Sequence, residues 1–149
     1  ERDGEVMRSL VAYIGWLSRD VPRGSEVVGR GFPKLERPPN VDPEGGRSSY
    51  AARCASCHGA DGQGRRADDG SYQFPPLWGD RTFNIAAGMA RLDTAAAFVR
   101  HNMPLGRPEP LTATEAYDIA AYFIEQPRQD LEKKRLDWPR GGKPSDARY

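Results

Sequence analysis

The stretch Cys54-Ala55-Ser56-Cys57-His58 decides the fold of this chain. Residues three apart lie on one face of a helical turn, so the two thiols point the same way and the histidine follows directly. The sequence contains 2 cysteines in total, so no thiol is left for another site. Two thiols so placed can add to the two vinyl groups of a porphyrin while the imidazole faces its iron. The pattern is the attachment sequence of c-type haem. It predicts one haem c, bound covalently through Cys54 and Cys57, with His58 as an axial ligand.

Three other uses of these cysteines explain the sequence less well. A redox-active dithiol belongs with a thioredoxin-like βαβ pattern, which the sequence lacks. A structural zinc ion needs four good ligands, and the only histidine besides His58 is His101. A plain disulfide gives no role to the adjacent histidine. We therefore prefer the haem.

The iron of an electron carrier needs a second axial ligand. The candidates are Met7, Met89, His101 and Met103. We favour Met103, because Pro104 holds Met103 in an extended conformation. Both residues are predicted to lie in a loop that precedes a capped helix. Core packing is the alternative role for Met7 and Met89, and a surface position or a haem-propionate neighbour is the alternative for His101.

Hydrophobic periodicity and capping residues predict helices and no convincing strand, so we expect an all-α fold. An amphipathic helix is predicted over about residues 5–19, and residues 59–70 are predicted as loop. Asp42-Pro43 starts a helix that runs to Cys54. Asp93-Thr94 is predicted to cap a short helix. A capping box at Thr112–Glu115 predicts the start of a further helix, which Pro127 ends. A short apolar stretch at 131–136 predicts one more short helix.

These elements predict a haem domain with two extensions. Residues 1–40 form an N-terminal extension, in which a Pro- and Gly-rich linker follows the first helix. Residues 41–127 form the haem domain, and residues 128–149 form a C-terminal extension that we expect to pack on it. A length of 149 residues fits one such core, since domains usually hold roughly 100–200 residues.

Composition limits the partners of the chain. The formal net charge is +1, from 22 basic and 21 acidic residues, which argues against nucleic acid because phosphate binding requires a concentrated basic surface. Residues 1–40 hold 7 basic and 6 acidic residues and residues 128–149 hold 7 and 4, whereas residues 41–127 hold 8 and 11. Both extensions are basic relative to the middle and can steer a charged protein partner. No run of about 18 apolar residues predicts a transmembrane segment. The chain begins at Glu1 rather than Met, so we expect that any export signal or lipid anchor preceded it.

The haem motif, the Met-Pro loop and the closing aromatic helix resemble those of class I, mitochondrial-type cytochromes c. The resemblance implies the cytochrome c fold around one haem, with a Gly and an aromatic residue of the first helix crossing an aromatic residue of the last. Gly46, Tyr50 and Tyr122 occupy similar positions. These expectations concern packing around the haem.

The stretch Pro75-Pro76-Leu77-Trp78-Gly79 resembles the Pro-x-Leu-x-Gly turn of that family. The resemblance implies that the carbonyl of Pro75 accepts the Nδ1 proton of His58, which fixes the tautomer and strengthens the ligand. The expected haem-pocket and packing residues are Tyr50, Pro75, Leu77, Trp78 and Tyr122.

A narrower resemblance covers residues 45–149. This part of the chain is similar to the C-terminal haem domain of thiosulfate dehydrogenase-like dihaem cytochromes c, at Phe83-Asn84, Gly88-Met89 and Asn102-Met103-Pro104 as well as at the Pro-Pro-Leu-Trp-Gly stretch. Residues 6–22 resemble the closing helix of a preceding haem domain. Known members of that group use a catalytic haem with a Cys thiolate ligand, and both cysteines here are committed to attachment.

We expect a monomeric, non-enzymatic one-electron carrier of a bacterial respiratory chain, between a quinol-oxidising complex and a terminal haem-copper oxidase. Met/His ligation raises the potential, as this role requires. The alternative is the electron-accepting haem domain of a thiosulfate-oxidising enzyme. Gas binding or peroxidase activity needs an open sixth position, against which Met103-Pro104 argues. The family implies the periplasm or the outer face of the cytoplasmic membrane.

Overall fold

The computed structural model describes residues 4–25, 31–107 and 111–149. The chain divides into two compact units, Glu1–Gly31 and Phe32–Tyr149. The first unit contains helix α1, Glu5–Leu17, which lies where the periodicity predicts it and has no buried residue. Residues 26–30 of the predicted linker and residues 108–110 of the predicted Met-Pro loop lie outside the described residues.

The second unit is mainly helical, in agreement with the predicted all-α class. Its helices and strands are α2 (Pro43–Arg53), α3 (Ala55–His58), β1 (Arg65–Arg66), β2 (Tyr72–Phe74), α4 (Leu92–Asn102) and α5 (Ala113–Glu125), with short 3₁₀ turns at Gly88–Ala90 and Lys134–Leu136. Strands β1 and β2 form an antiparallel pair that sequence analysis did not predict. Within the described ranges, no helix has the length and apolar character needed to cross a membrane.

Helix α5 forms the centre of the core by packing against both α2 and α4. Helices α2 and α5 approach closely at Gly46, where an added Cβ would lie 1.9 Å from the carbonyl oxygen of Asp118. Only glycine permits this distance between the two backbones. The rings of Tyr50 and Tyr122 meet beside it, with centroids 5.4 Å apart. The helix crossing implied by the resemblance is therefore present.

The predicted starts of α2 and α5 are confirmed by their caps. The Asp42 carboxylate accepts the Glu44 backbone amide at 3.1 Å, which satisfies a first-turn donor of α2. At α5 the Glu115 amide donates to the Thr112 hydroxyl at 3.2 Å, and the Thr112 amide donates to the Glu115 carboxylate at 2.8 Å. This reciprocal pair is a capping box.

The predicted cap of α4 at Asp93-Thr94 is wrong. Helix α4 begins at Leu92, and its N-cap residue, Arg91, makes no side-chain capping bond. The Asp93 carboxylate instead accepts the hydroxyl of Tyr117 on α5 at 3.2 Å. The carboxylate is used for a contact between helices, so it does not satisfy the first amides of its own helix.

Beyond α5, the chain runs alongside residues 79–85. The Gly79 amide donates to the Pro127 carbonyl at 2.7 Å, and the Ile85 amide donates to the Gln129 carbonyl at 3.0 Å. The side-chain amide of Gln129 also donates to the Asp80 carbonyl at 2.6 Å. The boundaries of the haem domain at residues 41 and 127 remain predictions.

Candidate haem site

The two cysteines lie on one tight turn: Cys54 joins α2 to α3, and Cys57 lies within α3. The Cys54 amide donates to the Tyr50 carbonyl at 2.8 Å, and the Cys54 carbonyl accepts the amides of Cys57 at 3.1 Å and His58 at 2.9 Å. Both cysteines are half-buried and neither forms a disulfide. Burial raises the pKa of the Cys54 thiol to about 11. Because thiol exchange requires a thiolate, such a protonated thiol does not fit the redox-dithiol alternative.

The orientation of His58 is set by one main-chain acceptor. Its Nδ1 lies 2.9 Å from the carbonyl oxygen of Pro75, which is the contact expected from the resemblance. A carbonyl can only accept, so Nδ1 carries the proton and Nε2 keeps its lone pair for a metal. The ring also meets Phe74 edge-on, with centroids 6.3 Å apart.

Tyr50, Trp78 and Tyr122 form an aromatic cluster next to the attachment turn. The ring centroids of Tyr50 and Trp78 are 5.3 Å apart, and those of Trp78 and Tyr122 are 5.8 Å apart. The Tyr50 hydroxyl donates to the Gly59 carbonyl at 2.7 Å, and burial raises its pKa. Leu77 packs against the same core, whereas Pro75 is exposed. The role of these five residues in lining the haem pocket remains a prediction.

Met103 lies immediately after α4, in extended conformation with φ −123° and ψ 148°. Its amide donates to the Val99 carbonyl at 3.0 Å, and its half-buried side chain packs against the same core as Cys54. Met89 packs against that core as well, whereas His101 is exposed. Met7 lies on α1 with 42% of its surface exposed, so it is not a core residue. Ligation by Met103 therefore remains a prediction.

The donor set of this region fits a covalently bound haem. It offers two thiols on one turn, an imidazole held in the correct tautomer and a soft thioether at the end of α4. Four-ligand zinc fits less well, because no group of three or more His, Cys, Asp or Glu side chains gathers within the described residues. The chemistry of these residues thus agrees with the motif.

Sequence analysis missed the glycines that shape the loop after His58. A Cβ at Gly62 would lie 2.2 Å from the Trp78 ring, and one at Gly64 would lie 2.7 Å from the carbonyl carbon of Pro75. The three closely spaced glycines at positions 59, 62 and 64 were the available signal, since such glycines mark close backbone approaches. Nothing in the sequence identified the segments that approach them.

Comparisons with known proteins agree with this geometry. Residues 41–123 match the family described as "Cytochrome C oxidase, cbb3-type, subunit III". The chain is 47% identical over 126 residues to a thiosulfate dehydrogenase of Allochromatium vinosum, covering 85% of this chain and 47% of that protein. A thiosulfate dehydrogenase of Psychrobacter arcticus is 43% identical over 142 residues, which cover 95% of this chain and 43% of the relative. The chain thus spans less than half the length of these curated relatives.

One solved structure extends the comparison to the fold. The as-isolated thiosulfate dehydrogenase TsdBA from Marichromatium purpuratum superimposes with a TM-score of 0.70 at 48% sequence identity. The match covers 83% of this chain and 27% of that chain. The attachment turn, the crossing of α2 with α5 and these matches lead to one conclusion: the chain belongs to this family of c-type cytochrome domains, with the cytochrome c fold, covalently bound haem c and a role in electron transport.

Proposed function

We propose that this chain is the electron-accepting haem domain of a thiosulfate-oxidising enzyme. The observation that carries the proposal is the extent of the similarity to a thiosulfate dehydrogenase. It covers 95% of the chain, whereas the family match covers only residues 41–123. The similarity therefore reaches into the extensions, which a minimal electron carrier does not need.

The same comparison favours the enzyme domain, which sequence analysis gave as the alternative, over the respiratory electron carrier. A carrier between a quinol-oxidising complex and a terminal oxidase uses the same one-electron chemistry, and the attachment motif does not distinguish it. The relatives reported above are thiosulfate dehydrogenases, which favours the alternative. The partners are then a thiosulfate-oxidising haem domain or subunit as donor and a second redox protein as acceptor. The proposed location is the periplasm or the outer face of the cytoplasmic membrane, because covalent haem attachment occurs outside the cytoplasm.

In this proposal each residue of the site has a separate task. Cys54 and Cys57 would hold the haem through thioether bonds, and His58 and Met103 would be the two protein ligands of its iron. The bound haem supplies a single electron-accepting centre. The Met103 thioether favours the ferrous state, and the Pro75 carbonyl keeps His58 in the tautomer that binds. With both cysteines used for attachment, the oxidation of thiosulfate itself is assigned to another haem domain.

Electron donors test the proposed function directly. The haem-loaded chain is mixed with a thiosulfate-oxidising catalytic subunit plus thiosulfate or, separately, with a quinol-oxidising complex plus quinol. We expect fast reduction of the haem by the first donor and slow reduction by the second. Efficient reduction by the quinol-oxidising complex and oxidation by a haem-copper oxidase, without transfer from the thiosulfate-oxidising subunit, would support the respiratory carrier instead.

Replacement of Met103 and, as a control, of Met89 tests the iron ligation. Met103→Ala is expected to remove the weak ferric absorption band of thioether-bound haem and to lower the reduction potential, because a soft ligand to ferrous iron is lost. Met89→Ala is the matched control, since Met89 packs against the same core, and it should keep the band. Loss of the band only in Met89→Ala would assign the ligand to Met89, and its absence from the unmutated protein would exclude Met/His ligation.

A further inference from the structure

The turn that presents its carbonyl to His58 is restrained along its backbone. Pro75 and Pro76 have no N–H, and their rings fix φ near about −65°. The next peptide group, between Pro76 and Leu77, is held at both ends. The Thr82 hydroxyl donates to the Pro76 carbonyl at 3.1 Å, and the Leu77 amide donates to the Gly62 carbonyl at 2.8 Å. The direction of the Pro75 carbonyl therefore depends on groups outside the turn.

The loop after His58 restrains the same carbonyl from the other side. Gly64 has φ +74°, and an added Cβ would lie 2.9 Å from the Pro75 carbonyl oxygen and 2.2 Å from that of Phe74. The Gly64 amide donates to the carbonyl of His58 itself at 2.8 Å. The loop backbone thus lies directly against the Pro75 carbonyl and is tied to the residue that this carbonyl orients.

Thr82 can restrain the turn because its own segment is fixed. The amides of Gly79 and Ile85, on either side of Thr82, donate to carbonyls of residues 127–129. Between them, the Arg128 guanidinium lies 4.4 Å from the centroid of the Phe83 ring and donates to the Phe123 carbonyl at 2.7 Å. Thr82 is half-buried on this held segment, so its hydroxyl has a defined position.

We infer that Thr82 is a positioning residue that sets the donor strength of the His58 imidazole through the Pro75-Pro76 turn. The inference rests on the proposed ligation of iron by His58. A short bond from Nδ1–H to a well-aligned carbonyl makes the imidazole a stronger donor. A stronger donor stabilises ferric over ferrous iron, so the turn lowers the reduction potential relative to a loosened one. Loss of the Thr82 hydroxyl frees the Pro76 carbonyl and weakens the contact between Nδ1 and Pro75.

Thr82→Val tests this inference, because it removes the donor and keeps the branched shape. In the haem-loaded protein we expect an upward shift of the reduction potential and faster exchange of the His58 Nδ1 proton, measured by NMR in the ferrous state. Thr82→Ser retains the hydroxyl and should restore both values. Thr114→Val is the matched control, since Thr114 is exposed in the first turn of α5, and it should change neither. If Thr82→Val does not accumulate as holoprotein, Thr82→Ala makes the same comparison with a smaller side chain.

Two outcomes would overturn the inference. One is an unchanged potential and an unchanged Nδ1 exchange rate in Thr82→Val, even with a lower unfolding midpoint, because a purely structural role moves only the midpoint. The other is an equal shift in Thr114→Val. A failure of the underlying ligation is recognised separately, since the unmutated protein would then lack the NMR signals of an iron-bound imidazole.

Discussion

The haem attachment turn is supported on two sides, by the crossing of α2 with α5 and by the loop of residues 59–79. The crossing depends on buried side chains and on one close backbone approach at Gly46. The loop depends on main-chain hydrogen bonds and on glycines placed against the Pro75-Pro76 turn. This difference indicates that the crossing chiefly determines whether the domain folds, whereas the loop chiefly determines how His58 is held. Substitutions in each region can separate the two effects.

The largest effect is expected from Gly46→Val in the crossing. A Cβ at this position would overlap the Asp118 carbonyl oxygen at 1.9 Å, and neither backbone can move without separating α2 from α5. Overpacking typically costs about 1–3 kcal/mol and occasionally more, and the upper end is expected here because the overlapped atom belongs to the backbone. Denaturant unfolding of the haem-loaded protein should show a loss of this size, or no folded protein.

Gly45→Ala is the matched control in the same helix. A Cβ there would meet only the carboxylate of Asp42, at 2.6 Å. This carboxylate caps α2, and its displacement would cost about 1 kcal/mol. The free energy of unfolding should change by less than about 1 kcal/mol, since alanine also favours the helix. Equal losses in the two variants would contradict the special role of the crossing.

Gly64→Ala in the loop should lower stability less than Gly46→Val does, but it should have the larger effect on the reduction potential of the haem. Gly64 and Gly70 both have positive φ, +74° and +82°, but only Gly64 has atoms within contact distance of an added Cβ. Gly70→Ala should therefore cost only the left-handed strain, about 1 kcal/mol. Gly64→Ala should cost more and should also shift the reduction potential by displacing the Pro75 carbonyl. An unchanged potential in Gly64→Ala would show that the loop does not control His58.

The smallest effect is expected at the capping box of α5. Thr112→Ala removes the hydroxyl that accepts the Glu115 amide, which costs about 1 kcal/mol. Hydrogen bonds from the Thr112 backbone amide and then from its hydroxyl lower the pKa of Glu115. The stability linked to Glu115 is therefore present above its unfolded pKa of about 4.3 and is lost as the pH falls through its lower folded pKa.

The lowered pKa of Glu115 determines how stability changes at acid pH. Thr112→Ala keeps the backbone amide and removes only the hydroxyl contribution, so the folded pKa of Glu115 should rise part of the way towards its ordinary value. Urea unfolding between neutral and acid pH should then show a slightly shallower decline. Thr114→Ala, in the same turn and exposed, should leave the profile unchanged. A decline as steep in Thr112→Ala as in the unmutated protein would mean that the Thr112 hydroxyl does not lower the pKa of Glu115.

Sequence analysis predicted the crossing better than the loop for physical reasons. Caps and apolar periodicity are local, so the starts of α2 and α5 could be located from a few residues. The cap predicted at Asp93 was wrong because a carboxylate near a helix start can instead accept a hydrogen bond from a neighbouring helix, here from Tyr117. The β1–β2 pair is too short to show periodicity. The contact of Thr82 with Pro76 joins two loop segments, and residue type alone does not indicate such a pairing.

The haem site, like the fold, could be predicted from sequence only in part. The positions of Cys54, Cys57 and His58 on one turn, and the contact of His58 with Pro75, followed from the motif and the resemblance. The choice of Met103 over Met89 stays a prediction, because both side chains pack against one core. The preferred redox partner also did not follow, since the attachment motif is the same for a respiratory carrier and for an enzyme domain.

The crossing of α2 with α5 also has a consequence for folding kinetics. The Asp42 amide donates to the Asp118 carboxylate across 76 positions of sequence, so a long stretch of chain must close before the crossing forms. Contacts of such separation slow folding, because the entropy of loop closure is lost before the packing energy is gained. Without α5, the chain cannot bury Tyr50. The core of the domain is therefore completed only when the two distant segments meet.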